Sequence, residues 1–465
     1  MEKSMRSIAT QSPANATDGL IASADSETGT VGVPMKAALP SHKERVQSAV
    51  AVVVGSALEW YDFFLYTLLV GSVMSASFFP ATDQFAGTVA AYATFAVGFV
   101  ARPFGGLLLA TLSDRFGRKR ILVVILLLTG GSSCLIGLLP TYASIGLAAP
   151  LLLLFLRIIQ GVGAGAEFAV AAVYAVETGA ARNSGVRGAL PATGVYAGML
   201  LASAALGVFS WLTGPAFADW GWRIPFLFSG LLLLAGVWIR RNLSESQAFH
   251  AAQVLQPDAT RKSTAVRAIL RDEWRGVVFV VGAQFAQAGL GFLFLTFTSY
   301  YLTATLGMPR AVALHATLIA AAVAVVTAPL FGALADHIGV RRFFMVALLF
   351  SIAASVAYFP LTATRSPTLI CLAMVLTIGI GVNGLLAVQG ALFSAQFPAA
   401  VRASGVALGR ELSTAVVGGL TPILAIYMLR GAGATGVAAL AVGLTLISLL
   451  TVTFCHGKNT MRHGA

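Results

Sequence analysis

Glu59 and Asp62 stand three residues apart inside a long apolar stretch, with Trp60, Tyr61, Phe63, Phe64 and Tyr66 around them. Residues at that spacing share a helical face. Two carboxyl groups among aromatic rings suit proton exchange beside a wall that an organic molecule can touch. Glu59 and Asp62 are therefore candidate proton carriers, and Trp60 and Tyr61 candidate substrate contacts. A salt bridge that only holds helices together is the plainer reading of the same pair.

Arg102, followed by Pro103, lies twelve residues before Asp114. That is about 18 Å along a helix, so Arg102 falls near mid-membrane. It is read either as an anion seat or as the partner of Glu59 or Asp62, and the two are compatible. Arg157 and Glu167 occupy another apolar stretch, ten residues apart. At about 15 Å of rise they are too far apart for one local pair. Both are read as coupling residues, with Gln160 on the side of Arg157 and Glu167 as a third candidate proton carrier. The Gly161-to-Gly165 spacing beside them signals close helix packing. Arg410 and Glu411 are sequence neighbours and so are expected to point in different directions, with Arg410 facing a cavity or a carboxylate. Gln284 and Tyr300, with Gln287 and Tyr301, are candidate cavity-lining groups, although their spacing also suits ordinary packing. A charge at the bilayer centre costs roughly 2.5–3.5 kcal/mol on insertion scales, so each of these residues needs a partner or a water-filled cavity. The planar fork of a guanidinium matches a carboxylate, which makes Arg102, Arg157 and Arg410 the candidate substrate-binding cations.

The elements that position these groups are membrane helices. Of 465 residues, 57% are hydrophobic and only 10% charged, well under the quarter usual in soluble domains. Forty-eight glycines fit close helix approach in lipid. Stretches of about 20 apolar residues predict twelve spans: 48–76, 86–112, 121–140, 147–177, 190–213 and 223–241, then 276–303, 311–336, 342–363, 367–392, 401–429 and 432–455. The chain thus divides into a disordered cytoplasmic tail (1–45), a six-helix bundle (46–241), a polar linker (242–275), a second six-helix bundle (276–455) and a short tail (456–465).

With the N-terminus inside, 23 of the 30 Lys and Arg residues fall in cytoplasmic segments and four in outer loops. The positive-inside rule then places both termini in the cytoplasm, and explains the net charge of +12 without nucleic acid. Cys134, Cys371 and Cys455 are far apart and have no metal-ligand spacing. Metal clusters, nucleophile elbows and phosphate loops are absent from the sequence, which argues against an enzyme or an ATP-driven pump.

The two halves echo one another. Residues 106–120 read GLLLATLSDRFGRKR and residues 331–342 read FGALADHIGVRR, each leaving an even-numbered helix of its half. Arg187-Gly188 before helix five is echoed by Arg402-Ala-Ser-Gly405 before helix eleven. Parallel repeats of this kind build many secondary transporters.

The 106–120 loop resembles the hallmark cytoplasmic motif of the major facilitator superfamily, and Arg157-Ile-Ile-Gln-Gly-Val-Gly-Ala-Gly165 resembles its helix-four motif. Glu59-Trp-Tyr-Asp-Phe-Phe64, Phe95-Ala-Val-Gly-Phe-Val-Ala-Arg-Pro-Phe-Gly105 and Trp220-Gly-Trp-Arg-Ile-Pro-Phe226 resemble signatures of the metabolite:proton symporter family within it. The resemblance implies the major facilitator fold, all-α and polytopic, with twelve transmembrane helices in two pseudo-symmetric six-helix bundles. It also implies a bacterial inner-membrane protein that acts as a monomer, with the lipid bilayer, protons and a small-molecule substrate as partners. No cofactor is expected, the proton gradient being the driving force.

Two substrate classes follow. The arginines favour symport of a mono-, di- or tricarboxylic organic acid by alternating access. The alternative is a zwitterionic osmolyte such as proline or betaine, held by cation–π attraction at the aromatic patch. In the loop Asp114, Arg115, Gly117 and Arg118, cations that fix topology also frame a gate. Asp114 would meet the N-terminus of helix eleven, where free amides favour an anion, and Asp336 is its echo in the second half.

Overall fold

The computed structural model describes residues 42–80, 84–116, 118–165, 184–242, 269, 271–398 and 402–455. Contacts divide the chain into Met1–Arg45, of which only the first turn of a helix is described, and one compact unit, Val46–Ala465, which holds everything below. The 1–41 tail, most of the 242–275 linker, the tail after Cys455, Gly117 and Glu167 lie outside the described residues.

Among the described residues every regular element is helical. Lipid offers no partner for a backbone amide, so each span must satisfy its own. α1, His42–Leu69, continues through a π-helical turn at Val70–Met74 to Phe78. α2 is Gln84–Phe116, α3 Arg118–Leu138 and α4 Ala148–Ala164. α5 is Ser184–Thr213 and α6 Arg223–Asn242. α7 starts as Trp274–Phe292 and carries π turns at Leu293–Phe297 and Tyr301–Thr305. α8 is Arg310–Ile338 and α9 Val340–Ala363. α10 runs from Pro367 to Ser394 around a π segment, Val375–Val382. α11 starts as Arg402–Ser413, passes a π turn at Thr414–Gly418, and ends where Gly433 takes φ 66° and ψ −160°. α12 is the remainder, to Phe454.

These twelve helices fall on the twelve expected spans, with described ends shifted by a few residues; the end of the fourth span, 166–177, lies outside the described residues. The largest shifts are at the starts of α1 and α5, expected from residues 48 and 190 and found from His42 and Ser184. Among the described residues, eight helices are long and apolar enough to cross a bilayer, three shorter apolar ones accompany them, and Gly433 breaks the longest in two. Large apolar side chains face outward, among them Phe104, Leu147, Leu234 and Phe454. Trp211 and Trp220 flank the α5–α6 turn, while Trp238 and Trp274 flank the other end of the sheath, all exposed. That is the belt arrangement of indoles at two membrane–water boundaries.

Glycine sets the distance between α2 and α4. A Cβ on Gly161 would stand 2.1 Å from the Gly98 carbonyl oxygen, and one on Gly165 would stand 2.0 Å from that of Arg102. Backbone therefore meets backbone along this seam, which brings Arg102 and Arg157 into one layer. π turns are frequent at functional sites. Those described lie in α1, α7, α10 and α11, the helices that surround the charges discussed next.

Candidate functional site

The core of the unit is a chamber of rings. Phe63 of α1 packs against Phe95 and Phe99 of α2 and Phe292 of α7, with ring centroids 5.5 to 5.8 Å apart. Phe99 and Phe292 stand 4.6 Å apart, edge to face. Into this chamber reach two arginines. The Arg102 guanidinium carbon lies 5.5, 5.1 and 5.2 Å from the ring centres of Trp60, Phe63 and Phe99. That of Arg157 lies 3.9 Å from Tyr66 and 5.4 Å from Phe95. Both side chains are almost completely buried. Cation–π attraction offsets part of the desolvation each has suffered.

Their ionic partners differ from expectation. Arg102 does not pair with Glu59 or Asp62 but faces Glu411 of α11, Nη1 to Oε2, at 3.9 Å. Neither of those two atoms makes a hydrogen bond. The other Glu411 oxygen accepts from Arg410 Nη1. Arg410 and Glu411 thus converge instead of diverging, because both stems are long enough to bend into the same buried space. Glu59 is also buried, and its charge acts on Arg410. Thr414, at the π turn, donates to the Arg410 carbonyl, 2.8 Å, and fixes the backbone under the cluster. Arg157 has a different shell. Its Nη1 donates to Gln160 Oε1, and Gln160 Nε2 donates to Ser133 Oγ on α3, 2.8 Å.

Asp62 and Tyr61 turn away from the chamber. Asp62 lies with the hydroxyls of Ser133 on α3 and Ser229 on α6 alongside it, and its Oδ1 has no hydrogen-bond partner. A Cβ on Gly130 would come within 3.3 Å of its Oδ2. Tyr61, expected at the substrate wall, instead donates to the Pro225 carbonyl on α6, 2.9 Å, and packs on Phe228. The α1 face that carries it looks at α6. Glu59 and Asp62 therefore serve different neighbourhoods, although three residues apart.

A central cavity of about 30 Å³ is lined by Trp60, Phe64, Gln284, Phe292, Leu386 and Arg410, among others. A water needs about 10–15 Å³ by that measure, so this space holds water but no organic acid. Gln284 Nε2 donates to Gln287 Oε1, 2.7 Å, while its own Oε1 is unpartnered. Tyr300, expected here, is not on the wall. It packs against Phe297 and beside Gly71, further along α7 and α1.

Contacts at both ends join the first six helices to the last six. At the end expected to be cytoplasmic, α5 crosses α8 backbone to backbone, and a Cβ on Gly185 would stand 2.3 Å from Gly332 O. The Asp336 carboxylate accepts from the amides of Gly185 and Val186, 2.7 and 3.1 Å, capping the α5 N-terminus. This is the contact anticipated for Asp114 and helix eleven, seen in the pseudo-symmetric place. Asp114, Arg115 and Arg118 fall in α2 and α3, but their side chains lie outside the described residues. At the opposite end Arg310 Nη2 donates to Ser72 Oγ, 3.1 Å, and Tyr92 donates to Thr296 O, 2.9 Å.

Sequence reasoning singled out Glu411 as a carboxylate in an apolar helix but gave it no role, and it missed Ser133 and Phe292. Ser133 and Phe292 carried no signal, since their importance comes from what faces them. Among the described residues no three His, Cys, Asp or Glu side chains gather as a metal site would need.

Known proteins give the arrangement a family. The family model described as Major Facilitator Superfamily matches residues 52–422. The chain is 32% identical over 380 residues to the shikimate transporter of Escherichia coli K12, covering 82% of this chain and 86% of that protein. It is 32% identical over 392 residues to the proline/betaine transporter of the same strain, covering 82% and 77%. A solved structure of the E. coli xylose transporter XylE, partially occluded and inward open, superposes with a TM-score of 0.67 at 19% identity, covering 91% of this chain and 98% of that one. On the family model and the identity to these relatives, this multi-pass membrane protein belongs to the Major Facilitator Superfamily and is a secondary transporter, not an enzyme.

Proposed function

We propose that the protein is a proton-coupled symporter that imports a small organic acid by alternating access. The observation that carries this reading is the occupation of the chamber. The faces of Trp60, Phe63, Phe99, Tyr66 and Phe95 are already covered by the protein's own Arg102 and Arg157. A quaternary ammonium would have to displace a guanidinium to use them, whereas a carboxylate is drawn to what covers them. The proline/betaine relative supports the zwitterion alternative, and the test below separates the two.

Charge balance supports proton coupling. Among the described residues, the buried interior holds Glu59, Asp62 and Glu411 against Arg102, Arg157 and Arg410, three of each sign. An anion entering alone leaves an uncompensated buried charge, which is costly. An anion entering with one proton restores neutrality. Asp62 is the acid assigned to that proton, with Glu59 and Glu167 as further candidates. From Asp62 a polar series, Ser133, Gln160, Arg157, leads back to the chamber. Neutralising Asp62 changes what Ser133 and Gln160 hold and releases Arg157 toward the substrate, with Arg102, Arg410 and Gln284 completing the seat. The empty protein and the neutral loaded protein can then both close, with Asp336 on α5 as a latch on the cytoplasmic side. The bacterial inner membrane, both termini in the cytoplasm, a monomer and the absence of any cofactor complete the reading.

The test is uptake into proteoliposomes of labelled shikimate, as a carboxylate, and of labelled glycine betaine, each with and without an inward proton gradient. Gradient-driven uptake of shikimate or another organic acid, uncoupled in Asp62→Asn, is the expected result. With a monocarboxylate and one proton no net charge moves, so a potassium diffusion potential alone drives no accumulation. Gradient-driven uptake of glycine betaine with no carboxylate accepted would transfer the assignment to the osmolyte class.

A further inference from the structure

The loose pair between α2 and α11 has a use of its own. Arg102 Nη1 and Glu411 Oε2 face each other at 3.9 Å, both buried, neither hydrogen-bonded. The other Glu411 oxygen is held by Arg410 on the same helix. One carboxylate thus stands between two guanidinium groups, one from each half of the molecule, beside a cavity too small for an organic acid.

We propose that Glu411 occupies, in the empty carrier, the seat that the substrate carboxylate takes in the loaded one, and so lets the carrier close with nothing bound. This rests on the organic-acid reading above and names the residue that completes its cycle. A symporter must return empty after each delivery. Closing around Arg102 with no anion before it would bury an unanswered charge. Glu411 supplies the anion from the opposite half, so closure of the empty form is possible. It supplies it imperfectly: tethered to α11 and already engaged by Arg410, it stops short of hydrogen-bonding distance from Arg102. A free carboxylate has no such tether and can meet a guanidinium fork with two parallel bonds. Substrate therefore wins the seat when present, and Glu411 holds it when absent. With the backbone held by Thr414 at the π turn that begins three residues on, the exchange needs only a rotation of the Glu411 side chain.

The first test needs no substrate. Leu386 lines the cavity, whereas Val437 is buried in α12 and absent from its wall. In protein freed of Cys134, Cys371 and Cys455, a cysteine replaces Leu386 or, separately, Val437, and alkylation by N-ethylmaleimide is timed in proteoliposomes. Glu411→Gln should speed alkylation of the Leu386→Cys protein about tenfold, as the empty closed form loses population, and leave the Val437→Cys rate in place. No change at Leu386→Cys overturns the proposal. Equal acceleration at both positions also overturns it, since that marks a loosened bundle.

The second test compares net proton-driven uptake with equilibrium exchange for whichever labelled compound the uptake screen accepts. Exchange never uses the empty return. The ratio of net uptake to exchange should fall about tenfold in Glu411→Gln. A parallel fall in both would make Glu411 a plain substrate contact. Because alkylation is read without substrate, its failure is distinct from a failure of the organic-acid assignment.

Discussion

Arg102 and Arg157 enter the same aromatic chamber from adjacent helices, yet the protein holds them in opposite ways. Arg102 faces a carboxylate that belongs to the other half of the molecule. Arg157 is held inside its own half, through neutral groups, Gln160 and then Ser133. When the halves separate, the surroundings of Arg102 must change and those of Arg157 need not. One cation is a part of the moving interface, and the other is a fixed feature of the first six helices. That division suits a carrier, which needs an anion seat present in every state and a charge contact that registers closure.

The largest expected effect breaks the fixed member. Arg157→Lys keeps the charge but loses the planar fork and the stacking on Tyr66, 3.9 Å away. Truncating one partner of a buried charge-assisted contact costs about 2–5 kcal/mol, so uptake should fall at least thirtyfold, with Arg157→Ala no better. Initial rates of labelled substrate uptake, on protein shown by gel filtration to be intact, check this. Wild-type rates in Arg157→Lys would remove Arg157 from the seat and leave Arg102 and Arg410 to carry it.

A smaller effect sharpens the interface member. Arg102→Gln and Glu411→Gln each leave a buried charge facing a neutral group, whereas the double variant removes both charges of the cross-half contact. In a double-mutant cycle of thermal unfolding, the double variant should be more stable than the sum of the singles by about 0.5–3 kcal/mol. Strict additivity would mean that the 3.9 Å approach carries no energy and that the difference between the two arginines is only one of position.

What the sequence disclosed follows from the range of the interactions involved. Twelve spans were legible because apolar length is a local property, and the Gly161–Gly165 seam because small residues at four-residue spacing have one main use in lipid. The start of α5 was not legible. Ser184 to Gly188 has the composition of a loop, and the cap for its free amides comes from Asp336, some 150 residues away. The site divides in the same manner. Every buried arginine could be found as a charge in an apolar run. The identity of its partner could not, because helical spacing places Glu59 and Asp62 on one face without saying that Asp62 looks at α3 and α6. Tyr61 was misplaced for the same reason: its ring belongs to an aromatic run, but its hydroxyl answers the Pro225 carbonyl on α6.

The smallest expected effect concerns the series behind Arg157. Ser133 accepts from Gln160 and lies beside Asp62, so its hydroxyl is the one group common to the acid and to the holder of the arginine. Ser133→Ala deletes that group without adding charge or bulk. Leaving the Gln160 amide unsatisfied costs about 1–3 kcal/mol, enough to lower the melting temperature by a few degrees. A packing defect alone would stop there, lowering uptake with and without a proton gradient by the same factor. If the hydroxyl also transmits the protonation of Asp62 to Arg157, the gradient loses part of its grip. The ratio of gradient-driven to gradient-free uptake should then fall about threefold, a difference of roughly 0.7 kcal/mol in coupling. An unchanged ratio would make the Asp62 neighbourhood a structural knot of α1, α3 and α6, and would pass the proton to Glu59, the acid on the chamber side of the same helix.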